Sequence, residues 1–362
     1  MSQIRIGLIA APELPQEISN DIINQLPDII SKGIDGNVEW EVEIVVDPLT
    51  GAAETAKEVI DEAIDIKQEN NWDYAICLTD LPLFAEKDIV LSDINFHQNI
   101  ARISLPAFGF TPMRSRVKKT FVKIVREMYE QTLNEEKDEW KRPFRFSPIR
   151  RITAPVGMNE TDIRYVLTPR INGLLRLVFG MTRANRPWSI ISSFKPIIAI
   201  AFATGAYVLV FPTLWELSAA FTYTRLISLM FVAVLSMVIW MITSHHLWEG
   251  KASKSKKKLR RLYNEVTIST LLLAVLFYYV VLFIIFLMAV SFFVPPELFS
   301  EKASLDGPVD LKNFIDLAWL ATSVATLAGS IGAGVENEEL VRNVAYGYRQ
   351  NRRYNELYKK DS

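Results

Sequence analysis

Four windows in the second half of this chain, residues 196–215, 226–248, 266–296 and 317–335, contain no Asp, Glu, Lys or Arg. A membrane helix needs roughly 20 apolar residues to cross about 30 Å of hydrocarbon, and each window is near or above that length. The third is longer than one span requires and is expected to end near Val294, before Pro295 and Pro296. Buried helices of a large soluble domain are the competing reading, and such helices rarely run this far without a charge. The apolar excess behind a mean hydropathy of +0.15 is therefore local, and residues 1 to 185 have the mixed composition of a globular protein. The sequence predicts a soluble head on an all-α four-helix transmembrane domain over residues 189–336.

Orientation follows from Lys and Arg in short loops, which are retained in the cytoplasm. Arg164, Arg170, Arg176, Arg183, Arg186 and Lys195 precede the first window, and Lys251, Lys254, Lys256, Lys257, Lys258, Arg260 and Arg261 lie between the second and third. The loop before the fourth carries Glu297, Glu301, Asp306, Asp310 and Asp316 against Lys302 and Lys312, and "VRNVAYGYRQNRR" follows it. Four spans of a cell-membrane protein with both termini cytoplasmic satisfy every loop. The opening "MSQIRIGLIAAPELPQ" makes a poor signal peptide, having no basic segment before its short apolar run.

A charge held in hydrocarbon usually marks an ion path or a substrate site. None is expected mid-membrane: Glu216, Arg225, Glu249 and Asp316 fall at predicted ends, and His245 and His246 read as interfacial residues beside Trp248. The fourth window has small residues at Ala325, Gly329, Gly332 and Ala333. That spacing lets helix backbones approach closely, within the four-helix set or between protomers of a homo-oligomer; a glycine-lined pore is the alternative.

The head, residues 1–138, alternates strand and helix signals: "IRIGLIA", then "LPQEISNDIINQLPDIISK", "VEWEVEIVV", "AAETAKEVIDEAIDIKQENN" and "DYAICLTD". This predicts an α/β head with a mostly parallel sheet. "DIVLSDINF" and "NIARISL" read as an antiparallel edge pair, and a long basic helix follows from Thr111 and Pro112. Open sheets of this kind bind ligands at the carboxyl ends of their strands. The candidate positions there are Ala11, Pro12, Asp47, Thr79 and Asp80. No phosphate-cradling glycine loop occurs, so no nucleotide cofactor is expected.

Residues 139–188 form a basic juxtamembrane linker in which arginines interleave with Phe, Leu and Val. Lys141, Arg142, Arg145, Arg150, Arg151, Arg176, Arg183 and Arg186 suit an anionic cytoplasmic leaflet, where each basic residue contributes about 1 kcal/mol. Residues 171–181 are expected to lie along that surface as an amphipathic helix. A segment tied to the bilayer argues against nucleic acid as a partner. Residues 337–362 read as a basic cytoplasmic tail.

Candidate chemistry centres on His97, with Ser92, Ser104 and Asp93 as nucleophiles available by sequence and Asp80 as an orienting group. Ser92 is not on a G-x-S-x-G elbow, and the lone Cys77 sits in an apolar strand, where packing is the expected role. With one cysteine there is neither a disulfide nor a thiolate cluster, and no metal site is expected.

Two resemblances accompany these residues. The pieces "WEVEIVVDPL", "WDYAICLTDLPL", "ISLPAFG", "RANRPW", "AWLATSVATLAGSIGAGVE" and "AYGYRQNRR" resemble a family of Gram-positive bacterial multi-pass membrane proteins with a cytoplasmic α/β head. That resemblance implies the architecture and brings no activity with it. The element order of the head, with "LTDLPLF" followed by "ARISL" and a long helix, is similar to a metzincin scaffold. The helix here, "RVKKTFVKIVREMYE", lacks the H-E-x-x-H that would bind zinc, so the resemblance implies a scaffold without its metal.

Three classes of function fit. The favoured one is a noncatalytic membrane-anchored binding or regulatory protein whose head meets an unknown protein partner. A hydrolase-like membrane-tethered enzyme using the head crevice is the second, and a transporter or channel subunit the third.

Overall fold

The structure, a computed structural model, describes residues 3–51, 56–86, 88–110, 113–133, 149–153, 161–190, 194–250, 257–305, 307–331, 341–350, 352 and 353. The chain divides into two compact units, Met1–Asn185 with Gly347–Ser362, and Arg186–Tyr346.

The first unit begins with β1 (Gln3–Ala10), α1 (Leu14–Ile22), α2 (Leu26–Gly33), β2 (Glu39–Val46), α3 (Ala56–Glu69) and β3 (Tyr74–Thr79). It continues through β4 (Leu83–Ala85), β5 (Asp88–Asn95), β6 (Ile100–Ser104), α4 (Met113–Thr132), β7 (Ile149–Thr153), β8 (Ile163–Leu167) and α5 (Arg170–Ala184). The strands form one mixed sheet in the order β2-β1-β3-β6-β5-β8-β7, with β4 paired to β5. Every residue of β3 is buried, as its unbroken apolar sequence requires of a strand covered on both faces. At the β2 edge, Glu41 and Glu43 form ion pairs with Arg5, a charged border that discourages pairing with another chain.

The chain leaves β1 toward β2 on one side and reaches β3 on the other. Right-handed crossovers in opposite directions put α1 and α2 on one face of the sheet and α3 on the other. Under α3 lie Ile9, Ala75, Cys77 and Ile100 with Val59, Ile60 and Ala63. A Cβ at Gly7 would fall inside the Trp72 ring, so that face closes only over a glycine.

The sheet differs from expectation in two ways. It is mixed rather than mostly parallel: β1–β2, β1–β3 and β3–β6 are parallel, whereas β4–β5, β5–β6, β5–β8 and β7–β8 are antiparallel. The β5–β6 hairpin is also interior, because β8 and β7 cover its open side. Those two strands and α5 come from the segment expected to be a linker, and they carry the first unit past residue 138. Alternation is weak in "IRRIT", where two arginines are adjacent, and in "IRYVL", which is buried throughout after Arg164.

The second unit consists of α6 (Pro187–Ile190), α7 (Lys195–Leu209), α8 (Pro212–Ala220), α9 (Tyr223–Ser244), α10 (Lys257–Phe293), α11 (Pro296–Lys302) and α12 (Leu311–Ile331). Among the described residues, two helices, Tyr223–Ser244 and Lys258–Phe293, are long and apolar enough to cross a membrane. The first window is not one straight helix: α7 and α8 meet at 90°, at Val210 and Phe211 just before Pro212, whose ring cannot continue the preceding helix. The fourth window starts in α12 and runs into residues 332–335, outside the described residues. Along α9, Ile227, Phe231, Leu235 and Ile239 are 40–60% exposed. Such a stripe, one residue per helical turn, is costly in water and at ease against lipid. The chain thus joins an N-terminal α/β unit to a helical region with two apolar candidate spans.

Candidate functional site

The connections after β1 and β3 run to opposite sides of the sheet, the topology for which a crevice is expected between the carboxyl ends of these two strands. Ligands of doubly wound sheets bind at such a switch point. Its walls are built from short polar links. Asp47, after β2, accepts hydrogen bonds from the Leu49 amide at 3.0 Å and from the amide and hydroxyl of Thr50, each at 2.7 Å. This caps the tight turn Leu49–Gly51. The Thr79 hydroxyl, at the end of β3, donates to the Thr50 carbonyl at 2.7 Å and accepts from the Leu81 amide at 3.1 Å. Ser104, at the end of β6, donates to the Leu81 carbonyl at 2.8 Å. These links flank Gly51 and Asp80, and the crevice presents three acceptor groups: the Asp80 carboxylate and the carbonyls of Gly51 and Pro12.

The group that meets them is Arg353. Its Nη1 donates to Asp80 Oδ1 at 2.8 Å and to the Gly51 carbonyl at 3.1 Å, and its Nη2 donates to Asp80 Oδ2 at 3.1 Å and to the Pro12 carbonyl at 3.2 Å. Both side chains of the pair are 1% exposed. A planar guanidinium fork matches a carboxylate in this bidentate way, and lysine does not. Arg349 Nη2 stands 3.2 Å from Asp80 Oδ2, and its Nη1 donates to the Ala184 carbonyl at 3.4 Å. Arg352 donates to Glu13 at 3.1 Å. These arginines have helical backbone, and a spacing of three and four puts them on one face. Glu13, which also faces Arg349 and Arg353, has φ 71, a conformation that non-glycine residues adopt only when their surroundings hold them there.

The electrostatics are balanced. Burial alone is the largest influence on Asp80 and would raise its pKa, but Arg353 and Arg349 together outweigh it and hold the carboxyl below its ordinary range. Gly51 is needed for the approach, because a Cβ there would collide with the Arg353 guanidinium and press on Ala11.

Apart from Ser104, the other residues expected to act with Asp80 lie elsewhere. His97 is exposed in the turn between β5 and β6. Ala75 pairs with Ile100 at one end of the β3–β6 ladder and Thr79 with Ser104 at the other, so His97 sits at the opposite end of these strands from Asp80. The ladder alone spans about 13 Å at roughly 3.3 Å per residue. Ser92 and Asp93 are neighbours on β5 and point to opposite faces. Asp93 is buried in a two-pronged ion pair with its cross-strand partner Arg102, and Ser92 Oγ is buried without a partner among the described residues. Burial pushes the Cys77 thiol up to about 12; it is packed and unreactive. Helix α4 carries no histidine, and no group of three His, Cys, Asp or Glu among the described residues is placed to hold a metal.

Of the basic residues expected at a lipid interface, Lys141, Arg142 and Arg145 lie outside the described residues. Arg150 and Arg151 are on β7, where Arg151 is 3.8 Å from Glu127. Arg176 and Arg183 are on α5; Arg176 packs beside Gly109, and Arg183 lies 5.4 Å from the centre of the Phe110 ring. Arg186 follows α5 with φ 53. On α5 itself Ile171, Leu175 and Phe179 are 77%, 55% and 52% exposed. In the second unit, a Cβ on Gly205 of α7 would lie 2.9 Å from the Ala325 Cβ, and one on Gly329 would lie 3.1 Å from the Ala201 Cβ. Two small-residue pairs, each spaced by four, thus face each other within one chain; Gly332 and Ala333 lie outside the described residues.

Comparison with protein-family models, with curated proteins and with solved structures gives no match. The tail arginines are what sequence reasoning missed. Their signal was present as R-x-x-R-R, a cationic face one helical turn long, in a segment read as a basic tail.

Proposed function

We propose that the protein is a noncatalytic, multi-pass membrane protein that acts through its N-terminal unit as a binding or regulatory module. The observation that carries this reading is the crevice at the switch point, where ligand-binding geometry is met by the chain's own Arg353 and Arg349 on Asp80. A site closed by its own tail suits a module whose binding is controlled. The separation of His97 from Asp80, and the engagement of Asp93 by Arg102, favour binding over a hydrolase-like enzyme.

In this reading four spans, including the bent α7–α8 pair and α12, lie in the cell membrane with both termini cytoplasmic. The exposed stripe Ile171, Leu175 and Phe179 of α5 supports its lying at the cytoplasmic surface, with the anionic leaflet drawn to the arginines around it. The reading is tested by capture from native membranes followed by mass spectrometry. Arg353→Ala should enrich a defined partner relative to wild type, and His97→Ala should leave the wild-type pattern unchanged. Equal capture by wild type and Arg353→Ala, or loss of it on His97→Ala, would reject the assignment of the crevice.

A further inference from the structure

Among the described residues, every group that receives a hydrogen bond from Arg353 in the crevice is a carboxylate or a backbone carbonyl. The Asp80 carboxylate takes both prongs of Arg353, and the carbonyls of Gly51 and Pro12 take the remaining outward N–H groups of the same two nitrogens. Glu13 Oε2 adds negative charge 3.5 Å from Nη2. The absence of a side chain at Gly51 makes room for the planar group. An ammonium ion could use the charge but not the two parallel prongs and the two flanking carbonyls together. The internal occupant is also an imperfect one, since Arg353 Nε is buried without a hydrogen-bond partner among the described residues. A buried donor left unmet weakens the latch that contains it.

We infer that this crevice is a guanidinium-recognition site, that Arg353 is its built-in competitor, and that its external ligand is an arginine side chain presented by another polypeptide. The inference rests on the binding-module reading and names the ligand chemistry of the same crevice. Two acidic side chains also face the arginines of the tail segment, Asp80 toward Arg349 and Glu13 toward Arg352. A peptide with arginines spaced like those of "YGYRQNRRYNEL", residues 346–357, therefore gains contacts that a small guanidinium compound does not. The same segment from a second copy of this chain would satisfy that pattern.

The test uses the full chain in detergent micelles and a fluorescent peptide of residues 346–357, read by anisotropy. Arg353→Ala should bind the peptide at least tenfold more tightly than wild type, because the internal competitor is gone. Replacing the arginine at the 353 position of the peptide by citrulline, which keeps the shape and removes the charge, should cost at least tenfold. Asp80→Asn added to Arg353→Ala should abolish binding.

Methylguanidinium should displace the peptide from Arg353→Ala, and methylammonium at the same concentration should not. If methylguanidinium binds as tightly as the peptide, the polypeptide part of the inference falls. If citrulline is tolerated, or methylammonium competes equally, the guanidinium site itself falls.

A second measurement needs no variant. In the wild-type chain, methylguanidinium should accelerate amide exchange in residues 346–350 several-fold over methylammonium, and equal exchange would overturn the proposal even if Arg353→Ala fails to fold. Enrichment of a partner from native membranes by Arg353→Ala with no binding of the arginine peptide would overturn this inference and leave the binding-module reading standing, so the two fail separately.

Discussion

At the scale of single residues, Asp80 and Arg353 form a charge pair withdrawn from water, and such pairs respond asymmetrically to mutation. Removing one partner strands the other, which typically costs about 3–5 kcal/mol. Asp80→Asn should therefore release the tail and lower the thermal midpoint of the N-terminal unit, whereas Arg353→Lys, which keeps the charge and loses the fork, should fall between it and wild type. Acid should act in the same direction. The Asp80 carboxyl is held below its ordinary value, so its contribution is complete at neutral pH and is lost only as pH falls through the lowered folded value, beneath the unperturbed value of about 3.9. Proteolysis of the tail followed against pH should show protection from neutral pH down to that range, and none of this acid dependence in Asp80→Asn. Asp80 could be singled out from its place after a buried apolar strand. Its partner could not, because the pair is 273 residues apart in sequence and nothing local in "YRQNRR" says which acid it will meet.

At the scale of elements, the strongly periodic pieces were legible and the charged ones were not. β1, β3 and α3 follow from their apolar patterns, as do α9 and α10. β7 and β8 carry Arg150, Arg151 and Arg164, and the pairing of β8 to β5 and of β7 to β8 is decided by an open sheet edge rather than by their own sequence. The same local blindness hides the break between α7 and α8, which the run of apolar residues around Pro212 conceals. Helix contact in the second unit is more predictable, since small residues spaced by four admit a close backbone. Because α7 and α12 meet through Gly205, Ala325, Gly329 and Ala201, Gly205→Leu should lower the thermal midpoint in detergent. A conservative overpacking cost is about 1–3 kcal/mol. An unchanged midpoint would mean that these faces do not meet. Trp240→Ala, on the exposed side of α9, is the matched substitution expected to have little effect.

At the scale of the whole molecule, the lone cysteine turns topology into a background-free measurement. Cys77 is fully buried, and its thiol is pushed up to about 12, so almost no thiolate is present at neutral pH to react with a maleimide. Gly250, after α9, and Gly307, before α12, are both exposed, and a Cβ at either would meet nothing within 4 Å. Cysteine is therefore tolerated at both positions. If basic loops are retained inside and the acidic loop is exported, Gly307→Cys should label in intact cells with a membrane-impermeant maleimide. Gly250→Cys should label only after permeabilisation, and the wild-type chain in neither condition. Labelling of both sites from outside would reject the proposed orientation. Labelling of Gly250→Cys alone in intact cells would invert it and place the R-x-x-R-R tail and its crevice on the far side of the membrane. Because the tail and the N-terminal unit must share a side for Arg353 to reach Asp80, an epitope after Ser362 and one before Met1 should be protected together in intact cells. A split result would separate the latch from its site and remove the physical basis of self-closure.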